Sequence, residues 1–129
     1  MALQVRTHLM FDGTAEEAMH FYVSLFPDSL ITETQTYDDG DNKGKVKIGC
    51  FSLAGREFIC IDTPVKHEFS FTPSMSIFVD FDNSSDLQGA FAALSNGGEV
   101  FMPPDDYGFS AKFAWVQDRF GVSWQLNLP

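Results

Sequence analysis

One order of elements, strand–helix–strand–strand–strand, reads twice along this chain. That repetition limits the fold more than any single motif does. The first reading begins at residues 4–11, which alternate as a strand. His8 and Met10 fall on one side of it, and Leu9 and Phe11 on the other. Asp12-Gly13 turns the chain, and Thr14-Ala15-Glu16-Glu17 reads as a capping box, with Thr14 capping and Glu17 reaching back. Ala18, Phe21, Tyr22, Leu25 and Phe26 keep helical spacing until Pro27-Asp28 stops them. Strands follow at 30–37, 46–53 and 57–62, separated by the polar loop 38–45 and the turn Ala54-Gly55.

The second reading follows a connection that carries two prolines. Residues 74–81 alternate, Met75, Ile77, Val79 and Phe81 against Ser76, Phe78 and Asp80. Asn83-Ser84 offers a cap. Leu87, Ala90, Phe91 and Leu94 make a helical stripe, and Gly97-Gly98 ends it. A short strand is predicted at 99–102 and a loop from Pro103 to Gly108. The chain then closes on a hairpin whose turn, Asp118 to Gly121, places a glycine where a positive φ is often required. Beyond the turn Val122, Trp124, Leu126 and Leu128 point one way, and Ser123, Gln125 and Asn127 the other. The apolar set can bury against a helix. The polar set, on a strand unsuited to the surface, calls for a cavity.

These patterns predict an α+β fold of two βαβββ modules, residues 1–66 and 67–129, making one domain of 129 residues. Each four-stranded sheet carries its helix on its apolar face and turns its other face to a pocket. The pocket residues expected from the alternation are His8, Met10, Cys60, Ser76, Phe78 and Gln125.

Composition narrows the partners. Apolar residues make up 44% and include 14 Phe, which excludes a disordered chain. The net charge of −10, with only eight scattered Lys and Arg, argues against nucleic acid or an anionic membrane as partner, because phosphate binding needs clustered cations. No apolar run approaches the ~20 residues of a membrane span. Arg6 and His8 interrupt the start where a secretion signal would be apolar, so a cytoplasmic protein is expected. Cys50 and Cys60 have neither zinc nor CxxC spacing and read as reduced thiols. Asp38, Asp39 and Asp41 lack the later Glu of a calcium loop and read as a solvated turn. Glu16 and His20 share a helix face and read as a surface pair.

The stretch from Asp12 to Phe26 (Asp-Gly-Thr-Ala-Glu-Glu-Ala-Met-His-Phe-Tyr-Val-Ser-Leu-Phe) resembles the opening of PhnB-like proteins, also labelled 3-demethylubiquinone-9 3-methyltransferase-like. Trp115 to Leu126 (Trp-Val-Gln-Asp-Arg-Phe-Gly-Val-Ser-Trp-Gln-Leu) resembles their closing motif, so the likeness spans the chain. The family belongs to the vicinal oxygen chelate superfamily, with glyoxalase I, bleomycin-resistance proteins and extradiol dioxygenases. The resemblance implies paired βαβββ modules and, often, a homodimer.

It also implies four inward positions that bind a divalent metal in the superfamily's enzymes. Here they fall on His8, Cys60, Ser76 and Gln125. One imidazole, one thiol, one hydroxyl and one amide make a poor donor set for such an ion, so no metal is expected. No cofactor is expected either: Asp12-Gly13 is the one strand-to-helix glycine turn, and no GxGxxG exists to cradle a methyl donor. The first function expected is binding of a small, partly apolar ligand in a metal-free pocket, with His8, Ser76 and Gln125 orienting it. The alternative is a lyase, isomerase or dioxygenase that uses a metal, or His8 with Cys60 as acid–base or nucleophile. A dimer with an inactive pocket is the third reading.

Overall fold

The computed structural model describes residues 3–129. The chain divides into two compact units, one ending at Glu68 and the other spanning Phe69–Pro129. The first unit runs β1 (Thr7–Phe11), α1 (Ala15–Leu25), β2 (Leu30–Thr36), β3 (Val46–Leu53) and β4 (Arg56–Asp62). The second runs β5 (Ser76–Asp80), α2 (Ser84–Ser95), β6 (Glu99–Asp105), β7 (Lys112–Gln117) and β8 (Ser123–Leu128). The strand orders match: β1-β4-β3-β2 in one sheet and β5-β8-β7-β6 in the other. In each, the first strand lies parallel to the last, and the other pairs are antiparallel. This is the α+β, twice-βαβββ architecture that the element order predicts.

In the first unit α1 buries Ala15, Ala18, Met19 and Tyr22, a stripe of helical spacing shifted a little from the expected one. Tyr22 packs on Phe51 of the sheet with ring centroids 6.2 Å apart, and Leu9, Phe11 and Phe58 of the same sheet are buried as well. Phe51 and Phe58 stack with ring centroids 5.0 Å apart. The helix approaches closely because β3 carries Gly49. A Cβ there would lie 2.6 Å from Met19 Sδ and 2.9 Å from Cys60 Sγ.

The capping box is not formed. Thr14 occupies the N-cap position but makes no side-chain capping bond. Asp62, at the end of β4, supplies the acceptor instead. Its Oδ1 takes the N–H of Gly13 and of Ala15, each at 2.9 Å, and its Oδ2 takes the N–H of Val46 at 2.9 Å. One buried carboxylate thus joins the start of α1 to β3 and β4. At the other end, Phe26 turns extended before Pro27, and the helix stops.

In the second unit α2 buries Leu87, Ala90 and Leu94. Asn83 caps it as expected, its Oδ1 accepting the Asp86 N–H at 2.8 Å. Ala114, Val116, Trp124 and Leu126 are fully buried on the helix side of the sheet. The hairpin turn is built on Asp118. Its Oδ1 accepts from Phe120 N (2.9 Å) and Val122 N (3.0 Å), and its Oδ2 accepts from Trp124 Nε1 (2.9 Å). Gly121 has φ +96°, the left-handed conformation the turn demands. Trp124 is therefore a core residue with its N–H satisfied.

Strand β6 is longer than the sequence suggests and runs through Pro103 and Pro104 to Asp105. It is an edge strand with register shifts on both sides of Met102, so the missing proline donors interrupt no central ladder.

Candidate ligand-binding site

Each sheet has a far face, turned from its helix. In the second unit this face can be read in rows from the strand register. The first row is Ser76, Ser123, Gln117 and Glu99; the second is Phe78, Gln125, Trp115 and Met102; the third is Asp80, Asn127, Phe113 and Asp105. Period-2 alternation brings Ser123, Gln125 and Asn127 here by the same step that sends Trp124 and Leu126 into the core.

A chain of hydrogen bonds ties the first two rows together. Ser123, 1% exposed, places its Oγ 2.6 Å from Ser76 Oγ and accepts the Trp115 Nε1–H at 2.9 Å. Gln125 Nε2 donates to Ser76 Oγ at 3.3 Å. Gln125 is half-buried between Phe78 and Trp115 in register, and Phe101 packs on Trp115 with centroids 5.0 Å apart. One Gln125 N–H is thus committed to Ser76, leaving the amide a second N–H and a carbonyl to offer. In the third row Asn127 donates to Asp80 Oδ1 at 2.9 Å, while its own Oδ1 is buried without a partner among the described residues.

Ser76, Phe78 and Gln125, all expected to line a pocket, therefore stand side by side. His8 and Met10 share the far face of the first sheet, His8 exposed and Met10 half-buried. Cys60 does not join them. It pairs in register with Leu9 and Gly49, turns toward α1 against Met19, and is fully buried. Burial first, then the Asp62 carboxylate and then the Cys50 thiol push its pKa up to about 12. The sulfur that does share the far face with His8 is Cys50, which pairs with Ile59 and accepts from Arg6 Nη1 at 3.7 Å. Both faces of β4 are apolar, Phe58 and Cys60 against Ile59 and Ile61, so alternation alone could not choose between them.

The donor set does not fit a divalent metal. The Cys60 thiol is protonated and faces a helix, and the Ser76 hydroxyl is bonded to Ser123 and to the Gln125 amide. Among the described residues, no three His, Cys, Asp or Glu side chains are grouped to hold an ion. No helix is long and apolar enough to cross a membrane.

Sequence reasoning passed over Ser123 as an anchor and Phe113, Tyr107 and Phe109 as a cluster. The signal for the last two was an aromatic pair, Tyr107-Gly108-Phe109, inside a polar loop.

Two βαβββ units, each pairing its first strand in parallel with its last, define a fold of the vicinal oxygen chelate type. FosX, the fosfomycin resistance protein of Listeria monocytogenes, shares the fold at 11% identity, with a TM-score of 0.65 over 100% of this chain and 94% of that one. Residues 3–127 match the family described as 3-demethylubiquinone-9 3-methyltransferase, and the chain belongs to that family as a PhnB-like member. The PhnB protein from Bacillus cereus is 44% identical, with a TM-score of 0.95 over 98% of this chain and 100% of that one. Protein PA1353 from Pseudomonas aeruginosa is 25% identical, with a TM-score of 0.87 over 98% of each chain. No curated protein matches the sequence.

Proposed function

We propose that this PhnB-like protein binds a small, partly apolar ligand without a metal, and that the far face of the second sheet is its principal contact surface. The observation that carries the reading is the Ser76–Ser123–Trp115 hydrogen-bond chain, which holds the half-buried Gln125 amide between two aromatic side chains. A flat apolar group can rest on Phe78 and Trp115 while its polar edge meets the free valences of Gln125. His8 and Met10 are proposed as the ligand-facing residues of the first sheet. Cys60 is replaced in that role, because its side chain turns toward α1. The same orientation removes the geometric support for a His8–Cys60 acid–base or nucleophilic pair, which needs both groups on one face. The proposal includes a cytoplasmic homodimer, which light scattering would show as about 29 kDa, twice the 14.4 kDa chain.

Two measurements test the reading. Elemental analysis of protein purified without a histidine tag is expected to find no stoichiometric divalent metal; a stoichiometric one would overturn the metal-free site. A thermal-shift screen of small aromatic amides and heterocycles is expected to yield ligands whose affinity drops about fivefold in Gln125→Ala, the loss of one net hydrogen bond. Ligands that bind the variant as tightly as the wild type would remove Gln125 from the site.

A further inference from the structure

We propose that the ring cluster over Phe113 in the second unit takes the ammonium head of a small organic cation, with Asp80 and Asp105 supplying the counter-charge. This deepens the proposed function and rests on the far face being the binding surface. Phe113 is 5% exposed and forms the floor. Three exposed rings surround it. Phe109 stands edge-on at 5.0 Å, Tyr107 edge-on at 6.3 Å and Phe78 tilted at 6.4 Å. Phe109 is 64% exposed and Phe78 54%, so these rings leave much apolar surface in water unless something covers them.

The charge around the cluster selects the occupant. The unit from Phe69 to Pro129 has two basic residues, Lys112 and Arg119, against seven acidic ones. Both cations are engaged away from the rings. Lys112 pairs with Leu128 on the helix side and donates from Nζ to Ser84 Oγ at 2.7 Å, and Arg119 lies 4.5 Å over the Phe120 ring. Asp80 and Asp105 share the row of Phe113. Asp105 is one strand from Phe113 and Asp80 two, or about 5 and 10 Å at the usual strand spacing. Asp80 commits Oδ1 to Asn127, and its Oδ2 makes no hydrogen bond among the described residues. Among the described residues of this unit, an anion would meet two carboxylates here and no free cation, whereas an alkylammonium would find ring faces and negative charge together.

The cluster is also held in place before a ligand arrives. Tyr107 Oη donates to the Pro103 carbonyl, and Asp106 Oδ1 accepts the Gly108 N–H at 2.8 Å. Little loop ordering remains to be paid on binding.

The test titrates benzyltrimethylammonium chloride, phenylacetate and benzyl alcohol into the full-length protein at fixed ionic strength, followed by amide chemical shifts. The cation is expected to saturate, with the largest shifts at residues 105–113, and to bind at least tenfold more tightly than the other two probes. Phe109→Ala and Asp80→Asn, both at exposed positions, are each expected to weaken it by about threefold or more. Equal binding of phenylacetate or benzyl alcohol would overturn the cation preference while leaving the far face as a binding surface. Shifts centred elsewhere, or unchanged affinity in both variants, would overturn the site itself. If none of the three probes saturates, the inference fails, and the Gln125→Ala screen decides the underlying reading separately.

Discussion

Asp62 ties the first unit together, because the backbone donors of Gly13, Ala15 and Val46 all end on its carboxylate. Asp62→Ala leaves those donors buried or half-buried without an acceptor. At ~1–3 kcal/mol for each unsatisfied group, with partial relief by water, the variant should lose about 3 kcal/mol in urea unfolding. Asp62→Asn keeps the shape but turns one oxygen into a donor facing a donor, and should recover at most half of that loss. A loss below about 1 kcal/mol in the alanine variant would mean that water replaces the carboxylate. Cys60 makes a second prediction at this scale. Its pKa rises from 9.0 to about 12 in the folded protein, so the folded state holds a proton that the unfolded chain releases. The stabilisation is complete below pH 9 and is lost as pH rises toward 12, at up to about 1.4 kcal/mol per pH unit. Cys60→Ala should flatten that part of the alkaline stability curve, and Cys60 should resist thiol reagents until the protein unfolds.

At the scale of elements, two glycines predict opposite outcomes. Gly89 lies on the exposed side of α2, and an added Cβ would meet nothing within 4 Å. Gly89→Ala should stabilise the protein by about 0.5–1 kcal/mol through helix propensity and a less flexible unfolded chain. Gly98 begins β6 beside the β7–β8 turn, where a Cβ would sit 2.0 Å from the Gln117 carbonyl oxygen. Backbone cannot yield as a flexible side chain does, so Gly98→Ala should cost about 3 kcal/mol or more. Thermal unfolding of the pair, measured side by side, checks the sign of each. The elements themselves were legible because helical and strand periods differ and Pro27, Asn83 and Gly97-Gly98 mark helix ends. Ser76, Phe78 and Gln125 were placed correctly on one face because β5 and β8 alternate between polar and apolar neighbours. Cys60 was not, because β4 is apolar on both faces. The role of Asp62 was hidden for another reason: its partners Gly13 and Ala15 lie nearly fifty residues away, and no local pattern reports such a contact. Strand β6 was cut short because proline argues against a strand unless the strand is known to be an edge.

At the scale of the whole molecule, the strongest influence that no single contact reveals is charge. A chain of 129 residues with net charge −10 repels itself when compact, and unfolding moves like charges apart. Salt screens that repulsion: the Debye length falls from about 30 Å at 0.01 M to about 10 Å at 0.1 M, less than the span of a sheet. The melting temperature at pH 7 should therefore rise by several degrees between about 10 mM and 300 mM sodium chloride, with most of the gain below 150 mM. Surface ion pairs would push the other way, since screening weakens attraction as well as repulsion. They cannot dominate with eighteen acidic residues and only eight basic ones, which leaves at least ten carboxylates without a cation of their own. A melting temperature that falls with salt over this range would show that attractive pairs, rather than excess negative charge, govern the electrostatics of the fold.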